Sequence, residues 1–179
     1  MKATTAGPSH GLCVVAGLQA ADDGAGTAEV ADAVTAAAGR ARLVAVTPDL
    51  SRVGAAVRPE WAPLPGSRGH APPAVATVTG RPAVFRFHDG VPVPVETGDG
   101  ADPLGAVVTA WRADAGPGAA RTVVFHADDR AGADELRWRL VAAGAAEGDG
   151  GLPVVPISPA MAVHTGSGCL GVAWMAPET

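Results

Sequence analysis

The feature that most constrains the fold is a strand followed at once by an amphipathic helix in the last third of the chain. Residues 121–126, RTVVFH, form a short apolar run rich in β-branched residues, which predicts a strand. Residues 128–144 follow, with Leu136, Leu140 and Val141 on one side of a predicted helix. A strand that feeds a packed helix in this way is typical of folds in which a sheet and helices share one core.

The other segments repeat this mixture of strands and helices. Residues 59–73 contain five prolines and two glycines and are expected to form a flexible loop. Strand 91–95, VPVPV, lacks backbone donors at both prolines, so we expect it at a sheet edge. The order of elements predicts an α/β or α+β fold in two layers, as one domain over residues 1–179. The predicted helices are 11–22, 27–39, 48–57 and 102–114, and the further strands are 42–46, 74–78, 82–87, 153–157 and 170–174.

Composition and charge exclude several classes of function. The net charge is −5, Lys2 is the only lysine, and the arginines are scattered, so the clustered positive surface of a nucleic-acid-binding protein is missing. No apolar run approaches the about 20 residues that span a membrane. Cys13 and Cys169 lie far apart, which suggests neither a disulfide framework nor a metal site and favours a reducing, cytoplasmic setting. No motif for a cofactor is evident.

The segment VHTGSGCLGVAW near the C-terminus is the strongest candidate for a ligand site. Gly166 and Gly168 alternate with Ser167, so the backbone can adopt positive φ and bring N–H groups close to a ligand. Such a turn suits an anion. His164 and Thr165, expected at the end of a strand, add side-chain donors. The residues alone favour a plain glycine-rich turn, in which His164 bonds the backbone, over an anion site.

A catalytic interpretation of this loop is a further alternative. Ser167 or Cys169 could act as a nucleophile if a histidine lay within hydrogen-bond reach and a third group oriented it. The loop lacks the strand–turn–helix context of a nucleophile elbow, because a strand is predicted directly after it. A cysteine next to Leu170 is also more often a small buried apolar residue than a reactive thiol.

The remaining polar residues give weaker signals. His126 ends the strand 121–126, where ligand-facing residues collect in α/β sheets, although a surface or capping role suits it better. Asp128 and Asp129 are expected to cap the helix that follows, because negative charge is favourable at a helix N-terminus. No further clustered ligands accompany them, so no metal site is predicted.

The chain resembles the C-terminal domain of the DegV family of fatty-acid-binding proteins. The family's strand–helix–strand order and its terminal HTGPGALG-like loop correspond to TVVFHADDRAGADELRWRL, PVVPISPAMAV and HTGSGCLGVAW. Its KPIL…DG…P hairpin corresponds to GRPAVFRFHDGVPVP, its strand and GGRI turn to VAVTPDLSRVGAAVRP, and its S-x-G-x-G helix to SHGLCVVAGLQAADDG. Arg58 falls on the arginine of that turn. The resemblance implies a mixed, largely antiparallel sheet packed against helices.

The resemblance also implies a function and the residues for it. In the family a fatty acid lies in a tunnel between two domains, polar residues including the loop histidine hold its carboxylate, and a partner kinase phosphorylates it. Carried over, His164 and Thr165 grip the head group, Ser167 and the glycine N–H groups support them, and Arg58 lies near the tunnel mouth. The sequence departs from the motif where Ser167 replaces proline and Cys169 replaces alanine.

A second departure is that the family's N-terminal domain has no counterpart in this sequence. Either a separate chain supplies that half of the site, or the protein self-associates as a dimer, or lipid binding has been lost. We therefore expect a non-enzymatic carrier of an acyl-chain carboxylate. The alternatives are a scaffold that binds a protein partner through the exposed domain face, and an enzyme of small-molecule biosynthesis that uses His164 with Ser167 or Cys169.

Overall fold

Five helices and six strands make up the part of the chain that the computed structural model describes, which is residues 7–48, 53, 82–88, 91–95, 102–115, 121–145 and 151–176. The helices are α1 (Pro8–Asp22), α2 (Thr27–Arg40), α3 (Pro103–Ala115), α4 (Arg130–Ala142) and α5 (Pro159–Thr165). The strands are β1 (Ala41–Thr47), β2 (Ala83–His88), β3 (Val91–Pro94), β4 (Thr122–His126), β5 (Val154–Pro156) and β6 (Leu170–Met175).

The six strands form one sheet in the order β3-β2-β1-β6-β4-β5. Neighbouring strands are antiparallel except β4 and β5, which are parallel and are joined through α4. The predicted mixed, largely antiparallel α/β sheet packed against helices is therefore confirmed. Strand β3 lies at the edge, as expected for a strand whose residues Pro92 and Pro94 cannot donate to a second neighbour.

Helices cover both faces of this sheet, so the two predicted layers are corrected to three. One face packs with α3 and α4 around a mostly valine surface: Val44, Val46, Val84, Val124 and Val172 with Val107, Trp111, Leu136 and Leu140. The opposite face packs with α1 and α2: Leu43, Ala45, Phe85, Phe125 and Ala173 with Leu12, Cys13 and Ala37. Successive strand residues point to opposite faces, and because both sets are apolar here, both faces need a cover.

Side chains at two helix starts position the candidate site. The carboxylate of Asp129 accepts a 2.9 Å hydrogen bond from the Gly132 N–H, which confirms the predicted cap for this residue. The hydroxyl of Ser158 accepts a 3.3 Å bond from the Met161 N–H, and Pro159 is the first residue of α5. Helix α5 was not predicted. It carries His164 and Thr165, so the expectation that these residues end a strand was wrong.

Most of the other predicted elements lie within a few residues of the observed ones. Helix α1 begins at Pro8 instead of residue 11, and Gly26 instead of Thr27 precedes the first turn of α2. The predicted loop 59–73, strand 74–78 and residue Arg58 lie outside the described residues, as does most of the predicted helix 48–57. Among the described helices, none is long and apolar enough to cross a membrane.

Candidate functional site

The loop between α5 and β6 is fixed to the ends of two other strands. The Thr47 hydroxyl at the end of β1 donates a 2.8 Å hydrogen bond to the Thr165 carbonyl. Beyond the end of β4, the Ala127 carbonyl accepts from the Gly168 N–H at 2.7 Å, and the Ala127 N–H donates to the Cys169 carbonyl at 2.6 Å. Three non-adjacent segments therefore meet at one end of the sheet and hold the loop in a defined conformation.

Both loop glycines have the conformation that the sequence predicts. Gly166 has φ 80° and Gly168 has φ 83°, a region that residues with a Cβ rarely adopt. A Cβ on Gly168 would also lie 3.2 Å from Cγ of Pro48. Their N–H groups bond to carbonyls within the protein, Gly166 to Ala162 at 2.8 Å and Gly168 to Ala127. The glycines thus use their N–H groups to shape the loop.

The two polar residues at the end of α5 face different environments. His164 is exposed, so its imidazole can meet a ligand at the surface. Thr165 is only 8% exposed, and its hydroxyl donates to the Met161 carbonyl at 3.3 Å and hydrogen-bonds the Cys169 thiol. Thr165 therefore connects α5 to the loop, and His164 is the accessible polar side chain of the pair.

Ser167, between the two glycines, is exposed and lies next to an acidic residue. Its hydroxyl makes a weak 3.5 Å hydrogen bond to the carboxylate of Asp128. Asp128 has φ 59°, a left-handed conformation that aspartate tolerates better than most residues. A ligand carboxylate at the hydroxyl would be repelled by Asp128. The Ser167 N–H has no acceptor among the described residues and is the better donor for an anion.

The loop does not have the features of a nucleophilic site. Cys169 is fully buried, and burial raises the pKa of its thiol from an ordinary value of 9.0 to about 11, although the bond from Thr165 acts in the opposite direction. The thiolate is the reactive form, so this cysteine is unreactive at neutral pH. Within the described part of the chain, neither Ser167 nor Cys169 has an imidazole as hydrogen-bond partner.

Helix α1 carries an exposed apolar stripe. Val14, Val15 and Leu18 form this stripe and are 49%, 41% and 58% exposed, which is high for apolar residues on one side of a helix. The start of α1 lies against α5, because a Cβ at Gly7 would be 3.7 Å from Cε of Met161. The residue before α1 thus contacts the helix that carries His164, and the stripe begins about two turns further along α1.

The side chain of His126 does not face this loop, although its backbone pairs with Leu170 directly after the loop. His126 is 8% exposed, and its Nδ1 has no hydrogen-bond partner among the described residues. Its imidazole lies towards α4, where Arg130 chiefly, and His126 to a small extent, lower the pKa of Asp134. The described residues contain no group of three or more metal-ligating side chains. Helix α1 was predicted from its sequence, but the inward direction of Thr165 had no sequence signal.

The chain is similar to solved structures, but comparison of its sequence with family models and curated proteins gives no match. A DegV family protein of Corynebacterium glutamicum superposes with a TM-score of 0.73 at 19% identity, over 99% of this chain and 63% of its own. The fold is that of DegV family proteins.

Two further similar structures are of proteins for which fatty-acid binding is described. A Thermotoga maritima protein described as revealing a fatty acid binding function matches at TM-score 0.67 and 16% identity, over 94% of this chain and 55% of its own. A Eubacterium eligens DegV protein loaded with heptadecanoic acid matches at 0.66 and 14%, over 92% and 56%. This chain spans about 55 to 63% of the length of these three structures.

Proposed function

We propose that this protein binds a fatty acid or similar acyl-chain carboxylate and acts as its carrier or presenting protein. The proposal is supported by an accessible histidine at the α5–β6 loop and an exposed apolar stripe on α1, whose start contacts α5, in a fold for which a solved structure is loaded with heptadecanoic acid. The proposal treats the chain as one DegV C-terminal-like domain that works in the cytoplasm.

The head group is bound by the His164 imidazole and the Ser167 N–H. Both lie at the exposed surface of the loop, and hydrogen bonds to a charged group contribute about 1.5–3 kcal/mol each. Thr165, Gly166 and Gly168 support this site by fixing the loop. In the DegV motif a proline stands at the position of Ser167 and has no N–H, so this donor is particular to this chain. We also propose, on the family resemblance, that Arg58 lies near the entrance through which the ligand reaches the site.

The acyl chain lies along the stripe formed by Val14, Val15 and Leu18. Burial of apolar surface supplies affinity at about 0.8 kcal/mol per CH₂ group, so a long chain gains much more than the head group alone. The exposed stripe on α1 can cover only one side of such a chain. We therefore propose that a further surface completes the site, from a separate chain or from a second copy in a dimer, and that a kinase-like partner acts on the presented carboxylate.

A titration that compares dodecanoate with its methyl ester tests the head-group role. His164→Ala is expected to weaken dodecanoate binding about tenfold or more and to leave the methyl ester unchanged, because the ester carries no charge. Ser167→Ala is the matched control, since it keeps the N–H, and its affinity should stay within about twofold of wild type. Equal losses for both ligands in His164→Ala would contradict the head-group role.

A second function, a scaffold that binds a protein partner, is favoured by the same apolar stripe. Val14 and Leu18 are exposed at a spacing of four residues, which is the spacing by which one helix docks on another. The two functions differ in what the purified protein contains. An acyl chain in stoichiometric amount supports the carrier, whereas an empty protein with a large dimer interface supports the scaffold.

A further inference from the structure

A second concave surface lies at the opposite end of the sheet from the α5–β6 loop. It has a volume of about 480 Å³, within the range of small-molecule sites. Strand β1 begins here at Ala41 and ends at Thr47 beside the loop, so the two surfaces are about 20 Å apart at the usual rise per strand residue. We call this surface the splay cleft; Arg42, Val44, Arg86, Phe87 and Asp114 are among the residues that line it.

The cleft exists because β1 and β2 separate before either strand ends. Their pairing runs from Thr47 opposite Ala83 to Val44 opposite Arg86 and stops there. Beyond that point β1 continues to Ala41 paired only with β6, and β2 continues to His88 paired only with β3. The gap is therefore set by the register of three strand pairs, which makes it a property of the fold.

Two arginines project on the same side of this gap. Arg86 lies opposite Val44 in the antiparallel register, and Arg42 is two residues from Val44, so all three share one face of the sheet. Arg42 is held in place by its Nη1, which donates to the carbonyls of Gly39 at 2.7 Å and Ala41 at 3.1 Å. A guanidinium has five N–H donors, so further donors of Arg42 can face a ligand.

The single acidic residue of the cleft leaves the site with a net positive charge. Nη1 of Arg86 lies 3.9 Å from the Asp114 carboxylate, beyond hydrogen-bond length, and the two side chains are 53% and 42% exposed. Two cations against one anion favour a ligand with one negative charge. Phe87 faces the α1 and α2 side of the sheet, but it is partly exposed and lines the cleft across the gap between β1 and β2, so its ring supplies an apolar wall.

We propose that the splay cleft is a second binding site, for a small organic monoanion that joins a carboxylate to an aromatic or compact apolar body. The carboxylate pairs with Arg86 in the two-pronged geometry that guanidinium groups favour, and Arg42 adds a second cation. The apolar body replaces water against Phe87. The site is separate from the acyl ligand of the proposed function and does not depend on it.

The test uses 1-naphthoate as probe, with the full chain followed by titration calorimetry and by chemical shifts of the cleft residues. Saturable binding centred on Arg86 and Phe87 is expected, with naphthalene methanol, which lacks the charge, at least tenfold weaker. Arg86→Gln should weaken 1-naphthoate at least tenfold. Arg130→Gln, which removes another exposed arginine paired to an aspartate, is the matched control and should bind as wild type.

Asp114→Asn gives a result that a damaged fold cannot imitate. Removal of the competing carboxylate should tighten 1-naphthoate severalfold, whereas structural damage can only weaken it. His164→Ala should leave 1-naphthoate unchanged, so failure of the acyl site and failure of this site are distinguishable. No saturable binding at millimolar probe, or equal binding of the charged and uncharged probes in wild type and Arg86→Gln, would overturn the proposal.

Discussion

The Thr47 hydroxyl donates a 2.8 Å hydrogen bond to the carbonyl of Thr165, 118 positions later in the chain. Both residues are buried, at 0% and 8% exposure. This bond connects the end of β1 to the end of α5 and so fixes the start of the candidate loop. It also links the first third of the chain to its last part, near the neighbouring strands β1 and β6 in the middle of the sheet.

Replacement of Thr47 by valine tests how strongly this bond stabilises the fold. Thr47→Val keeps the shape of the side chain but leaves the buried Thr165 carbonyl without this donor, so the free energy of unfolding should fall by about 1–3 kcal/mol. Thr47→Ser keeps the hydroxyl and serves as control, with a smaller loss. Urea denaturation measures both, and a Thr47→Val protein as stable as wild type would contradict the role of the bond.

The two glycines Gly168 and Gly11 predict effects of opposite sign. Gly168 has φ 83°, and a Cβ there would crowd Pro48, so Gly168→Ala should destabilise the protein by about 1–2 kcal/mol. Gly11 lies inside α1 with open space around its Cα, so Gly11→Ala should stabilise by about 0.5–1 kcal/mol. Thermal unfolding of the two variants checks the signs, and a shift in the same direction for both would be inconsistent with this account.

The Cys169 thiol predicts a stability that decreases at alkaline pH. Burial raises the pKa of Cys169 from its ordinary value of 9.0 to about 11 in the folded protein. The contribution of the neutral thiol is complete below about pH 9 and is lost as the pH rises towards 11, at about 1.4 kcal/mol per pH unit.

The measurement is urea unfolding at several pH values between 8 and 11. The sequence contains no tyrosine and Lys2 is its only lysine, and a Cys13→Ala background removes the other buried thiol from both proteins compared. Cys169→Ala should remove most of the slope, even if the variant is less stable at every pH. Native Cys169 should also resist alkylation at pH 8. A variant with the same slope as wild type would show that the loss of stability has another origin.

The stripe on α1 predicts a dependence of affinity on acyl chain length. Leu18→Gln should weaken dodecanoate about tenfold and hexanoate much less, because only the longer chain reaches along the helix. Leu18 is 58% exposed, so the fold should tolerate the change. Trp138→Gln is the control, since Trp138 is 63% exposed on α4. Calorimetric titration decides, and equal losses for both acids would place the acyl chain elsewhere.

Local sequence signals were sufficient for most of the described elements. Alternating and continuous apolar runs predict β1, β4 and β6, and the proline pair in β3 predicts its edge position. Helix α5 was missed although Ser158 and Pro159 form a helix start, because the apolar run before it suggested a strand continuing towards His164. The third layer was missed because it depends on how α1 and α2 fold back onto the sheet.

The site was predictable only in part, for a physical reason. The positive φ of Gly166 and Gly168 follows from local sequence, and it was expected. The inward hydroxyl of Thr165 and the contact of Ser167 with Asp128 depend on residues brought together from distant positions. Sequence periodicity reports which side of an element is apolar, but it does not report which polar groups are already bonded within the fold.

Native mass spectrometry of the purified full chain, with organic extraction of the same sample, tests the central claim most directly. We predict one bound acyl chain per binding site. Added dodecanoate should replace this chain one for one, and the complex with His164→Ala should be weaker. A protein that carries no acyl chain, and that remains without one after incubation with dodecanoate at saturating concentration, would contradict it.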